Sequence, residues 1–128
     1  MTASDIALLT AGSIGAGTAI VHGVLLHRLA IVPLDEVLAS TPTLSKTIKL
    51  LLGPLLQFTT FAWLGSGLAL IAASIWLGTE AKLALAVVAV SHFLYGAIGN
   101  MRATRGRHPG GWLMAIAVAL IAFAVSTA

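Results

Sequence analysis

Residues 50–77 are 28 consecutive positions without an Asp, Glu, Lys or Arg. A helix needs about 20 apolar residues to cross a hydrocarbon core roughly 30 Å thick, so this run crosses a membrane with length to spare for tilt or a kink. Gly53-Pro54 near its start is the expected kink, because proline removes a backbone donor and clashes with the preceding turn.

Three further runs follow the same logic. Residues 6–26 are free of formal charge and end at His27-Arg28; the runs at 83–101 and 111–128 flank a basic loop. The predicted fold is therefore all-α: an integral membrane, antiparallel four-helix bundle in one domain, with spans near 6–28, 48–77, 83–101 and 111–127. Composition agrees, since a chain of 128 residues that is 59% hydrophobic and 9% charged, with mean hydropathy +1.03, cannot coat a water-facing surface. Asp5 precedes the first run and no base does, the wrong charge for a secretory signal peptide, so the first span is expected to be retained.

Between the first two spans, Leu34, Val37 and Leu38 take helical spacing opposite Asp35 and Glu36, which predicts a short interfacial helix at 34–39. Pro42 is expected to break it and Thr43 to cap the next span. Residues 78–82 form a short turn, predicting an αα-hairpin of spans two and three.

The basic residues set the orientation. Arg28, Lys46, Lys49, Arg102, Arg105 and Arg107 belong to the first and third loops, and Lys82 alone to the second. A bias of six to one places loops one and three in the cytoplasm and both termini on the non-cytoplasmic side. Trp76 and Trp112 fall at opposite predicted boundaries, where indole rings prefer to sit. Orientation accounts for the net charge of +3, and no nucleic-acid function is read from it. Arg102, Arg105, Arg107 and His108 are candidates for contact with anionic lipid or an acidic partner.

Small residues recur at spacings of three and four, which lets helices approach closely. The stripes are Gly12, Gly15, Ala16, Ala19 and Gly23 in the first span, then Gly65, Ala69 and Ala73 in the second. In the third, Ala89, His92, Gly96 and Gly99 share a face, and in the fourth Ala115, Ala119 and Ala122.

His22, Gln57, His92 and Tyr95 are polar side chains inside the spans. Measured from the cytoplasmic ends at 1.5 Å per residue, His22 and Tyr95 are about 9 Å deep, Gln57 about 10 Å and His92 about 14 Å. Polar groups at such depth turn inward and pair. One reading is a hydrogen-bonded knot fixing helix register. The alternative is a redox module: His22 and His92 as axial ligands of a b-type haem, with Gly96 as a notch for the macrocycle, or a quinone bonded by His22, Gln57 or Tyr95. His27 is rotated about 140° from His22 and cannot join it on one metal. Thr59, Thr60 and Ser66 are expected to bond the carbonyl four residues earlier.

With no cysteine, disulfides, thiolate metal sites and iron–sulfur clusters are excluded. No carboxylate lies within a span and no catalytic motif is present, so an enzyme is not favoured. The expected function is that of a small, non-enzymatic accessory subunit or homo-oligomer with membrane partners.

The segment Gly99-Asn100-Met101-Arg102-Ala103-Thr104-Arg105-Gly106-Arg107-His108-Pro109-Gly110-Gly111-Trp112, with Phe58-Thr59-Thr60-Phe61-Ala62-Trp63 before it, resembles small four-span inner-membrane proteins of proteobacteria. The resemblance implies a bacterial inner-membrane address and a four-span fold. The small multidrug exporters differ, carrying a membrane-embedded glutamate in their first span that this chain lacks.

Overall fold

The computed structural model describes residues 1–127. The chain is all-helical: α1 (Ala3–Leu26), a π-helical turn (His27–Ile31), α2 (Val32–Ala39), α3 (Lys46–Trp76), α4 (Thr79–Thr104) and α5 (Pro109–Ser126). Four helices are long and apolar enough to cross a membrane: Ala3–Ala39, Lys46–Trp76, Thr79–Thr104 and Pro109–Ser126.

The first of these corrects the expected separate interfacial helix. α1 passes through the π-helical turn into α2 without a break, and α2 begins at 32 rather than 34. Pro33 stands in the first turn of α2, directly after the wide turn. α2 is held by buried Leu38, and Ile31 sits over Gly53 of α3. Ser45, not Thr43, caps α3 by accepting from the Ile48 N–H at 3.3 Å. Pro54 lies inside an uninterrupted α3.

α4 also outruns its predicted length, covering 26 residues where 19 were expected. Formal charge marked the expected ends, yet Glu80 in the first turn and Arg102 in the last complement the helix dipole and let the helix continue through them. The connection to α3 shrinks to Leu77-Gly78.

α1 packs on α3 and α5, and α4 packs on the same two helices. Gly12 meets the backbone of Gly67 and the side chain of Ile71, while Gly23 meets Thr60 and Gln57. Along this seam residue numbers rise in α1 as they fall in α3. The stripe read in α1 is thus the true packing face: Gly12, Gly15, Ala16 and Ala19 are all buried. A Cβ on Gly67 would come within 2.6 Å of the Ala16 nitrogen, so glycine is what permits the crossing. Phe93 of α4 closes over Gly15 and is fully buried with Leu70, Met114 and Ile121.

The other stripes hold only in part, Ala73 of α3 and Ala89 and Gly96 of α4 being buried. In α3, Gly65 is exposed and the buried face carries Trp63, Ser66, Gly67, Leu70, Ala73 and Ser74. In α4, Gly99 faces outward, and in α5 the buried positions are Gly110, Gly111, Met114, Ala117, Ile121 and Ala124, with Ala119 and Ala122 outside.

The two ends of the chain meet. Ser4 Oγ donates to the Ala124 carbonyl at 2.9 Å. Beside it, Lys82 bridges to Asp5 at 2.5 Å, joining the start of α4 to the start of α1. Asp5 also completes a capping box with Thr2.

Candidate functional site

At the opposite end of the bundle, α4 turns into α5 through residues 105–108. Arg105 adopts the left-handed conformation (φ 53°, ψ 39°) and Gly106 follows at φ 74°. The Gly106 N–H reaches back to the Met101 carbonyl at 2.9 Å and the Arg107 N–H to Thr104 at 3.1 Å, so the last turn of α4 is capped by backbone alone. The Thr104 hydroxyl accepts from the His108 N–H at 3.3 Å. His108 Nδ1 in turn accepts from the Gly110 N–H at 3.1 Å, which caps α5. Arg102, Arg105, Arg107 and His108 are all exposed around this turn. Trp112 is exposed too, its indole N–H donated to the Gly106 carbonyl at 3.0 Å.

Beside the turn, a groove of about 540 Å³ opens between α1 and α5. Its walls are mostly apolar, with Val21, Leu25 and Leu29 on one side and Leu113 on the other. Its polar lining comes from Thr18, His22, Trp63, Asn100 and His108. Trp63, only 4% exposed, organises the floor. Its ring lies against the His22 imidazole, centroids 4.6 Å apart at 48°, and its N–H is donated to the His92 carbonyl at 3.1 Å.

The four intramembrane polar residues are therefore not one cluster. Gln57 Nε2 donates to the Gly23 carbonyl at 3.1 Å, locking α3 to α1. His92 Nδ1 pairs with Ser66 Oγ at 2.8 Å. Tyr95 is 71% exposed on the outer face of α4. Only His22 lines the groove. The expected notch at Gly96 exists, but Trp63 fills it: a Cβ on Gly96 would fall 2.5 Å from the indole Cζ2. With the indole against the His22 ring and in the Gly96 notch, and His92 Nδ1 paired with Ser66, the residues present do not fit a macrocycle shared by His22 and His92.

All three hydroxyl expectations also change. Ser66 bonds His92 rather than its own helix, and Thr59 bonds Leu56, three residues back, at 3.4 Å. Thr60 Oγ1 is buried without a partner at the α1–α3 seam.

The residues missed from sequence are Trp63 and Asn100. An asparagine at the end of an apolar helix was a signal, since an amide near a lipid boundary needs partners. The Asn100 amide meets half of that need by donating to the Gly96 carbonyl at 2.9 Å. Comparison with protein-family models, with curated proteins and with solved structures finds no match.

Proposed function

We propose that this is a small, non-enzymatic protein of the bacterial inner membrane, an antiparallel four-span bundle that works by lateral association, as a homo-oligomer or an accessory subunit. The observation that carries the reading is the outward turn of Gly65. A Cβ there would meet nothing within 4 Å, and the exposed side chains of Phe61 and Leu68, one helical turn away on either side, wall in the notch. Apolar side chains gain nothing by leaving lipid for one another, so membrane helices associate where small residues let backbones approach. Gly99 on α4 and Ala119 and Ala122 on α5 are further small positions on the outside.

The orientation proposed has residues 40–45 and the arginine turn in the cytoplasm and both termini on the other side. The six-to-one bias of basic residues supports it, as does the Ser4–Ala124 bond between the two ends of the chain.

Native mass spectrometry from a mild detergent tests the association. An oligomer or a co-purifying membrane partner is expected, and Gly65→Leu should release it while leaving thermal stability of the single chain unchanged. A lone monomer under all conditions overturns the reading. Orientation is tested separately on the cysteine-free chain: Ala103→Cys should label only from the cytoplasmic side, and labelling only from outside overturns the topology.

A further inference from the structure

We infer that the groove between α1 and α5 binds the head group of a membrane quinone or quinol: a flat, neutral ring with oxygens at opposite edges and an apolar tail. The inference is independent of lateral association, since no groove residue belongs to the Gly65 notch.

It rests on unused hydrogen-bonding capacity. His22 lies tilted against Trp63 and takes part in no hydrogen bond among the described residues. Asn100 spends Nδ2 on the Gly96 carbonyl, which leaves Oδ1 as a free acceptor. His108 spends Nδ1 as the acceptor for the Gly110 N–H. A neutral imidazole carries one proton, so that of His108 is on Nε2, which remains free to donate. Three elements thus bring one donor, one acceptor and one group able to serve as either to the lining of the same groove.

The rest of the wall selects among occupants. Unpaired polar groups beside hydrocarbon are costly, and a lipid acyl chain in the groove would pair with neither His22 nor Asn100. A phosphate would be drawn to the arginines, yet none of Arg102, Arg105 and Arg107 lines the groove. A quinone ring offers carbonyl oxygens to His108 Nε2–H and to His22. Its reduced form offers hydroxyls to Asn100 Oδ1 and to an unprotonated His22 nitrogen. The tail follows the exposed apolar side chains of Val21, Leu25, Leu29 and Leu113 towards the lipid. Trp63 gives the ring an aromatic floor. Sites of this kind, largely apolar with a few convergent polar groups, are how small molecules are held in orientation.

Titration with a decyl-substituted benzoquinone tests the site. The full chain is placed in zwitterionic phosphatidylcholine nanodiscs, and quenching of tryptophan fluorescence is followed. Saturable quenching is expected. His22→Leu and Asn100→Leu should each raise Kd by about tenfold, the loss of one buried hydrogen bond. Leu113→Phe, which fills the groove without touching a polar group, should abolish saturation. Tyr95→Phe should change nothing. Helicity and thermal midpoint are checked for each variant, and Leu113→Phe keeps the test decisive if a polar variant unfolds. Linear quenching of equal slope in every variant, which is partition into the bilayer, overturns the proposal. So does displacement of the quinone by phosphatidylglycerol, which would make an anionic lipid the occupant.

Discussion

Ser66 Oγ and His92 Nδ1 lie 2.8 Å apart, tying α3 to α4. The same histidine accepts the Trp63 N–H on its backbone carbonyl, so two residues of α3 hold one residue of α4 from two directions. Ser66→Ala is expected to destabilise the bundle by about 0.5–1.5 kcal/mol, the range of interhelical hydrogen bonds in membranes. His92→Leu should cost a similar amount, and the double variant less than their sum, because each single variant leaves a partner unpaired and the double variant leaves none. A double-mutant cycle by reversible unfolding in mixed micelles measures it.

Gly67 and Gly65 stand two residues apart and should respond oppositely. A Cβ on Gly67 meets α1 backbone at 2.6 Å, whereas one on Gly65 meets open space. Gly67→Ala is expected to lose about 1–3 kcal/mol through overpacking. Gly65→Ala should leave the stability of the single chain unchanged or raised by up to about 1 kcal/mol, since alanine is the better helix former. Thermal unfolding of the two variants side by side is the check.

That pair also explains what sequence could tell. The spans were legible because lipid demands uncharged runs, and the α1 stripe was legible because Gly12, Gly15, Ala16 and Ala19 all fall on one narrow face. Inside from outside was not legible in α3 and α5. A soluble helix marks its outer face with charge, but both faces of these helices are apolar, so Gly65 and Gly67 read alike. The polar site was half legible for a related reason: depth placed His22, Gln57, His92 and Tyr95 in one slab, and depth is silent about direction round the helix. Tyr95 is outside, Gln57 and His92 are spent within the bundle, and His22 alone meets a cavity.

Acid should loosen the end of the bundle where α1 and α4 begin. Asp5 precedes the charge-free run, and its carboxyl is held down to about 2, first by the hydrogen bond from Lys82 and next by the Thr2 N–H. A carboxyl lowered on folding stabilises the fold above its ordinary value, about 3.9. That contribution fades as pH falls from about 4 through about 2. Thermal midpoints should drop across this window in the wild-type chain, and the drop should be smaller in Asp5→Asn, which starts lower and has no such carboxyl to protonate.

Arg105 occupies left-handed backbone that an L residue enters at a cost of about 1–2 kcal/mol. Arg105→Gly removes that strain but loosens the unfolded chain, so a change of less than about 1 kcal/mol is expected. Arg105→Val should destabilise by about 1–3 kcal/mol, because a β-branched side chain suits this region least. Chemical unfolding of the three chains ranks them. The groove should follow, since His108 is positioned by the hydroxyl of Thr104 just before this turn.

The π-helical turn at His27–Ile31 carries one residue more than an α-helical turn would hold. That surplus acts as a phase setting for all of α2. Winding the same residues as plain α-helix would swing every later side chain about 100° round the axis and take Leu38 off its seat, whereas deleting Ala30 would let the turn close to ordinary winding with Leu38 still in phase. The lining of the groove at Leu29 and the footing of α2 therefore depend on one turn of backbone, the winding that adds Leu29 to the wall being the same that holds Leu38 in place.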